Sequence, residues 1–116
     1  MQFDRKDLTD QQLTDLYKAM LYPRLIEEKM FLLLRQGRIS KWFSGIGQEA
    51  ISAGVVSALR QDEWIMPLHR NLGIFTGRQM PLQKLFLQWQ GSEEGYSLGR
   101  ERSFHFGSAE HHIFGM

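Results

Sequence analysis

The stretch from Thr9 to Gly37 most constrains the fold, because it reads as helix throughout while its two halves carry different apolar faces. Thr9 followed by Gln12 forms a capping-box pattern, in which hydroxyl and side-chain amide each satisfy a backbone N–H orphaned at a helix start. Behind it, Leu13, Leu16, Tyr17, Met20 and Leu21 fall on one face. Pro23 removes a backbone donor and predicts a kink. Beyond it Ile26, Met30, Leu33 and Leu34 define a second stripe, rotated about a third of a turn from the first. Met30 to Leu34 is apolar at every position, which predicts burial on several sides before Gly37 ends the helix.

Downstream, Ser40 to Ile46 is expected as a loop or short extended piece. Gly47 to Arg60 is expected as a helix whose Ala50, Ile51, Gly54, Val55 and Ala58 offer a small-residue face for close packing. Asp62-Glu63 predicts a turn, Trp64-Ile65-Met66 a short buried strand stopped by Pro67, and Arg70 to Thr76 a brief helix. Pro81 suits the first turn of a helix carrying Leu82, Leu85, Phe86 and Trp89, closed by Gly91. Ser92 to Phe106, rich in glycine and charge, predicts a mobile loop. The chain as it stands is therefore mainly α.

Lys and Arg number 14 against 13 Asp and Glu, so a net charge of +1 gives no general drive toward nucleic acid or a membrane surface. An anion would have to be met locally. The absence of cysteine excludes a disulfide framework and a thiolate metal site. Met1 to Lys6 lacks an apolar signal core, and no apolar run approaches the ~18 residues needed to span a bilayer, so a soluble, cytoplasmic protein is the expectation. The hydrophobic ending Ile113-Phe114-Gly115-Met116 suggests an N-terminal piece of something longer.

The candidate chemistry centres on Pro67-Leu68-His69-Arg70-Asn71-Leu72-Gly73. An arginine fork suits a phosphate, and a helix start beside Arg70 would add backbone donors. The competing reading is an ion pair of Arg70 with Asp62 or Glu63. His69 could hold a phosphate oxygen or cap the helix. Gly45-Ile46-Gly47-Gln48-Glu49 lacks the lysine and full glycine pattern of a phosphate loop, so Gly47 serves as a tight helix entry and Gln48 and Glu49 favour its dipole. Glu49 also has the option of hydrogen-bonding a cofactor ring or a neighbouring loop. His105, His111 and His112 do not make a metal set, since an adjacent pair points in different directions and no acidic cluster surrounds it. Arg100, Arg102 and His105 make the glycine-rich segment basic. No nucleophile with its base, and no paired carboxylates, stands out.

Arg24-Leu25-Ile26-Glu27-Glu28-Lys29, Arg35-Gln36-Gly37-Arg38-Ile39-Ser40, Gly47-Gln48-Glu49-Ala50, His69-Arg70-Asn71-Leu72-Gly73 and Gly99 to His105 occur in an order and at intervals that, from about Leu16 onward, resemble the α chain of the thiamine diphosphate-dependent 2-oxo acid dehydrogenase E1 component. The resemblance implies that residues 1–116 are the N-terminal part of a single E1 α-type domain with an α/β thiamine diphosphate-binding fold. In that family the complete enzyme decarboxylates a 2-oxo acid on the cofactor's thiazolium carbon and passes the acyl group to lipoyl-bearing E2. It implies that Arg70 contacts the diphosphate, with His69 standing where tyrosine is usual. Gly95 to Gly107, with Arg100, Arg102, Ser103 and His105, is similar to a loop that orders near the active-site entrance.

The implied partners are an E1 β subunit or fused β half, E2 and a 2-oxo acid, in an oligomer whose interface the apolar Met30 to Leu34 would suit. No residue takes a catalytic role by this carry-over. The Gly-Asp-Gly…Asn motif that holds Mg²⁺ in the family does not occur here, so the chain supplies no metal ligand, and these 116 residues alone are expected to be inactive. Lys41-Trp42-Phe43-Ser44 replaces the pyruvate branch's Gly-Phe-x-His, which puts Trp42, Phe43 and Ser44 on the substrate side. Arg35 to Ser40, and Met80-Pro81-Leu82 followed by Phe86, look more like the branched-chain type. The alternative is a non-catalytic helical interaction module or truncated remnant.

Overall fold

A computed structural model describes residues 3–115. The capping box forms at the start of the first helix, α1 (Asp10–Arg35): Thr9 Oγ1 accepts from the Gln12 backbone N–H at 3.2 Å, and the Thr9 N–H donates to Gln12 Oε1 at 2.8 Å. At the far end Gly37, at φ +68°, donates to the Leu34 carbonyl while Arg38 donates to that of Leu33. This Schellman arrangement satisfies carbonyls that a helix end otherwise leaves open, and the left-handed residue it requires is the glycine.

α1 is one helix through Pro23, the position of the expected kink. Pro23 is buried beside Gly73 of a later helix, so tertiary packing offsets the missing backbone bond. Of Met30 to Leu34, expected to be buried on several sides, Met30 and Leu33 enter the core, Phe31 and Leu34 are half-buried, and Leu32 stays 49% exposed.

The second helix, α2 (Glu49–Ala58), is shorter at both ends than expected, and its inward face is the opposite one. Ser52, Ala53 and Val56 are buried, while Ala50, Ile51, Gly54, Val55 and Ala58 face outward. The reason lies in its partner α3 (Leu72–Gly77), where a Cβ on Gly73 would come within 2.6 Å of Ser52 Cβ. Close packing does occur, on Ser52 rather than on Gly54. The helices α1, α2 and α3 pack mutually, and α4 (Leu82–Gln90) closes with Gly91 in the left-handed conformation.

Trp64-Ile65-Met66 is not a buried strand. Only Ile65 pairs, through a parallel bridge to Ile113, and Trp64 and Met66 remain exposed. Among the described residues the β-type pairing is limited to isolated bridges, so the chain is mainly α, consistent with an N-terminal portion of a larger fold. No described helix is long and apolar enough to cross a membrane.

The expectation of a mobile loop over Ser92 to Phe106 is corrected most strongly. The segment has no regular structure, yet Phe104 and Phe106 are core residues, packed on Phe75 at ring separations of 5.5 and 5.0 Å. Gln88 of α4, fully buried, donates to the Glu101 carbonyl at 2.7 Å and accepts from the Ser97 N–H at 2.8 Å. The Ser97 hydroxyl also donates to the Glu101 carbonyl, and the Glu101 N–H donates back to it. A loop whose backbone groups are satisfied by one buried amide and whose aromatics fill the core is held in place.

Candidate functional site

The site is organised around a carboxylate. Glu27 is only 2% exposed, and its two oxygens accept from two points of one loop: Trp42 Nε1 at 2.6 Å and the Gly45 N–H at 2.7 Å. Each contact leads outward. Gly45 lies so close to Arg70 that a Cβ there would clash with the Arg70 carbonyl oxygen. Trp42 packs against Trp89 and Phe104, with ring separations of 5.0 and 5.1 Å.

A helix starts beside Arg70, since α3 begins at Leu72 with Asn71 as its N-cap, and Arg70 lies just ahead of it. The Asn71 N–H donates to the Leu68 carbonyl at 3.2 Å and the Asn71 side chain accepts from the Leu68 N–H at 2.9 Å, closing a turn that precedes α3. Arg70 occupies that turn at φ +82°, a conformation that costs a non-glycine residue roughly 1–3 kcal/mol. The alternative of an ion pair with Asp62 or Glu63 is not realised. Both acids pair with Arg60, and the Glu63 carbonyl accepts from the buried Arg78, which also donates to the carbonyls of Arg60 and Gln61. Among the described residues Arg70 makes no ion pair, and it is exposed.

His69 is half-buried between two rings, 5.3 Å from Phe43 and 6.0 Å from His105. Phe43, His69 and His105 thus meet from three separate parts of the sequence, with Arg70 next in the chain to His69. The remaining sequence candidates divide. Trp42 packs on the core, Phe43 is 41% exposed, and the Ser44 hydroxyl accepts from the Ile46 N–H at 3.2 Å. Arg100 and Arg102 are exposed, the latter lying over Gly91, whereas Ser103 is buried with its hydroxyl unpartnered.

Glu49 is occupied by its own neighbourhood: it pairs with Arg24 Nε at 2.7 Å and accepts from the Gly47 N–H at 2.9 Å. The Arg24 hydrogen bond holds its carboxyl below the usual glutamate range, with burial opposing. His111 shares a hydrogen bond with Ser108 and His112 sits against the Trp64 ring, so neither joins His105. No cluster of three or more potential metal ligands forms among the described residues.

Glu27 and Gln88 were passed over as site residues by sequence reasoning, although the signal existed. Each is a polar residue inside a buried stripe, Glu27 with Pro23, Ile26 and Met30, and Gln88 with Leu85 and Trp89. Chemically the assembly presents an unpaired guanidinium, two imidazoles and an aromatic face, with no nucleophile and base in contact.

Known proteins place this scaffold. Residues 17–116 match the family described as Dehydrogenase E1 component. The 2-oxoisovalerate dehydrogenase subunit alpha of Bacillus subtilis is 35% identical over 108 residues, covering 91% of this chain and 33% of that subunit. The pyruvate dehydrogenase E1 component subunit alpha of Mycoplasma genitalium is 31% identical over 88 residues, covering 76% and 25%. The 3-methyl-2-oxobutanoate dehydrogenase subunit alpha of Mycobacterium tuberculosis is 31% identical over 90 residues, covering 78% and 24%. The chain belongs to the dehydrogenase E1 component family, and it spans a quarter to a third of the length of these alpha subunits.

Proposed function

We propose that the chain forms the N-terminal part of an E1 α-type domain and supplies the diphosphate-binding side of a thiamine diphosphate site, within an enzyme that decarboxylates a 2-oxo acid and transfers the acyl group to lipoyl-bearing E2. The observation that carries this reading is Arg70: exposed, without an acidic partner among the described residues, held in a costly backbone conformation and adjacent to His69. Strain kept at a charged residue points to a role for that residue. The donor set fits the group, since a planar guanidinium suits two phosphate oxygens and an imidazole can donate to another.

When bound, the cofactor supplies the electron sink for decarboxylation. The protein's share is binding and orientation: Arg70 and His69 hold the diphosphate, while His105, with the exposed Arg100 and Arg102 nearby in sequence, borders the same place. Phe43 is proposed to line the acyl side, with Trp42 as its support and Ser44 fixing the turn behind it. Mg²⁺ ligands, an E1 β subunit or β half, and the lipoyl partner are to be supplied by other polypeptide. The 116 residues alone are accordingly expected to bind thiamine diphosphate weakly or not at all in calorimetric titration with Mg²⁺. Sub-micromolar binding would contradict this division of the site.

A branched 2-oxo acid is the proposed substrate, supported by the 2-oxoisovalerate and 3-methyl-2-oxobutanoate relatives and by the aromatic Trp42 and Phe43 in the segment that lacks the pyruvate branch's histidine. Added methyl groups buried in an apolar pocket are worth ~1–3 kcal/mol of discrimination each. The full-length protein, assayed with its β partner and an artificial electron acceptor, should show higher kcat/KM for 3-methyl-2-oxobutanoate than for pyruvate. A preference for pyruvate would overturn the branched-chain assignment alone. No turnover of either would favour a non-catalytic helical module.

A further inference from the structure

We propose that Glu27 is the positioning residue of this site, a buried carboxylate that ties the Arg70 turn to the aromatic platform under His105; the proposal rests on the reading of Arg70 as a phosphate ligand. Glu27 touches neither Arg70 nor His105, and acts through what its oxygens hold. Oε1 fixes the Gly45 N–H at 2.7 Å, and Gly45 is wedged beneath the Arg70 carbonyl, where no Cβ fits. Oε2 fixes the Trp42 indole at 2.6 Å, and Trp42 packs on Phe104, the residue before His105. Phe43, bonded in sequence to Trp42, meets the His69 ring.

The chemistry of this arrangement requires two acceptors side by side. A carboxylate offers an oxygen to each donor, whereas an amide must turn its NH₂ toward one of them. A buried donor facing a donor loses its hydrogen bond and is left desolvated. An ordinary structural acid would need only to be satisfied, whereas Glu27 bonds two points of the 42–45 loop, one packed under Phe104 and the other against the Arg70 carbonyl, and neither bond is local in sequence.

The test uses the full-length polypeptide and inorganic pyrophosphate as probe, with affinity read by calorimetry and Gly45 amide protection by hydrogen exchange. Glu27→Gln should weaken pyrophosphate binding about 10-fold, with circular dichroism unchanged and exchange across residues 43–47 accelerated. In Glu27→Gln/Trp42→Phe the indole donor is gone, so the glutamine oxygen is free for Gly45. Binding should then return to that of Trp42→Phe alone, a rescue that general destabilisation would not give.

Arg70→Ala separates the two levels of argument. If it lowers pyrophosphate affinity while Glu27→Gln does not, the positioning role is overturned and the phosphate site stands. If Arg70→Ala itself changes nothing, both are overturned. Should Glu27→Gln fail to fold, Gly45→Ala decides, because its Cβ must displace the Arg70 carbonyl: a folded Gly45→Ala protein with unchanged pyrophosphate affinity overturns the proposal, and a loss of about 10-fold supports it.

Discussion

Trp89→Ala is expected to lower the stability of the chain by ~3–5 kcal/mol, the largest loss of any single truncation considered for this molecule. Trp89 is 2% exposed and its ring meets those of Trp42, Phe86 and Phe104 at centroid separations of 5.0, 5.5 and 5.7 Å. Its indole N–H has no hydrogen-bond partner, so its contribution is packing alone. Removing it opens a cavity between α4 and the 101–106 segment that neither can close, since Gln88 pins both. Trp89→Phe keeps most of the buried ring and should cost much less. Urea unfolding followed by circular dichroism measures both variants. A loss under about 1 kcal/mol for the alanine would mean that the Phe104 segment is held by something other than this aromatic cluster.

The same cluster shows what was legible in the sequence. The apolar spacing of Leu85, Phe86 and Trp89, and the caps at Thr9, Gly37 and Gly91, were plain because each depends on residues a few positions apart. The hold on residues 92–106 was not, because it depends on Gln88 reaching the Glu101 carbonyl across 13 positions. Composition spoke for mobility there; one buried amide and two phenylalanines outweighed it. For α2 the periodicity was ambiguous by nature, since Ala50, Gly54 and Ala58 on one side and Ser52, Ala53 and Val56 on the other are both small enough to pack. Only the position of Gly73 in space selects the second face.

Beside Arg70 the helix start was legible, but not the turn that leads into it. Leu68 and Asn71 carry the signal for that turn: an asparagine side chain folding back on the backbone three positions earlier. Glu27 is the clearest omission. Its glutamate lies on the stripe Pro23, Ile26, Met30, where an apolar residue would be the default, and a charge retained in such a stripe asks for buried partners.

Arg70→Ala in the full-length protein is expected to raise the apparent dissociation constant for thiamine diphosphate roughly 10- to 100-fold, corresponding to the ~1.5–3 kcal/mol of a charge-assisted hydrogen bond. Arg70→Lys should recover only part, because a lysine offers a point charge without the fork. Arg70→Gly separates charge from backbone. Glycine adopts φ +82° without penalty, so this variant should be more stable than the parent by ~1 kcal/mol while binding the cofactor as poorly as the alanine. Stability gained as affinity is lost would identify the turn as strain kept for function. If all three variants bind as the parent does, the exposed guanidinium has no part in holding the diphosphate. If glycine is instead destabilising, the Arg70 side chain is packing on its surroundings, and the unpaired charge is structural. Fluorescence titration with thiamine diphosphate and Mg²⁺, run beside thermal unfolding of the cofactor-free proteins, distinguishes these results.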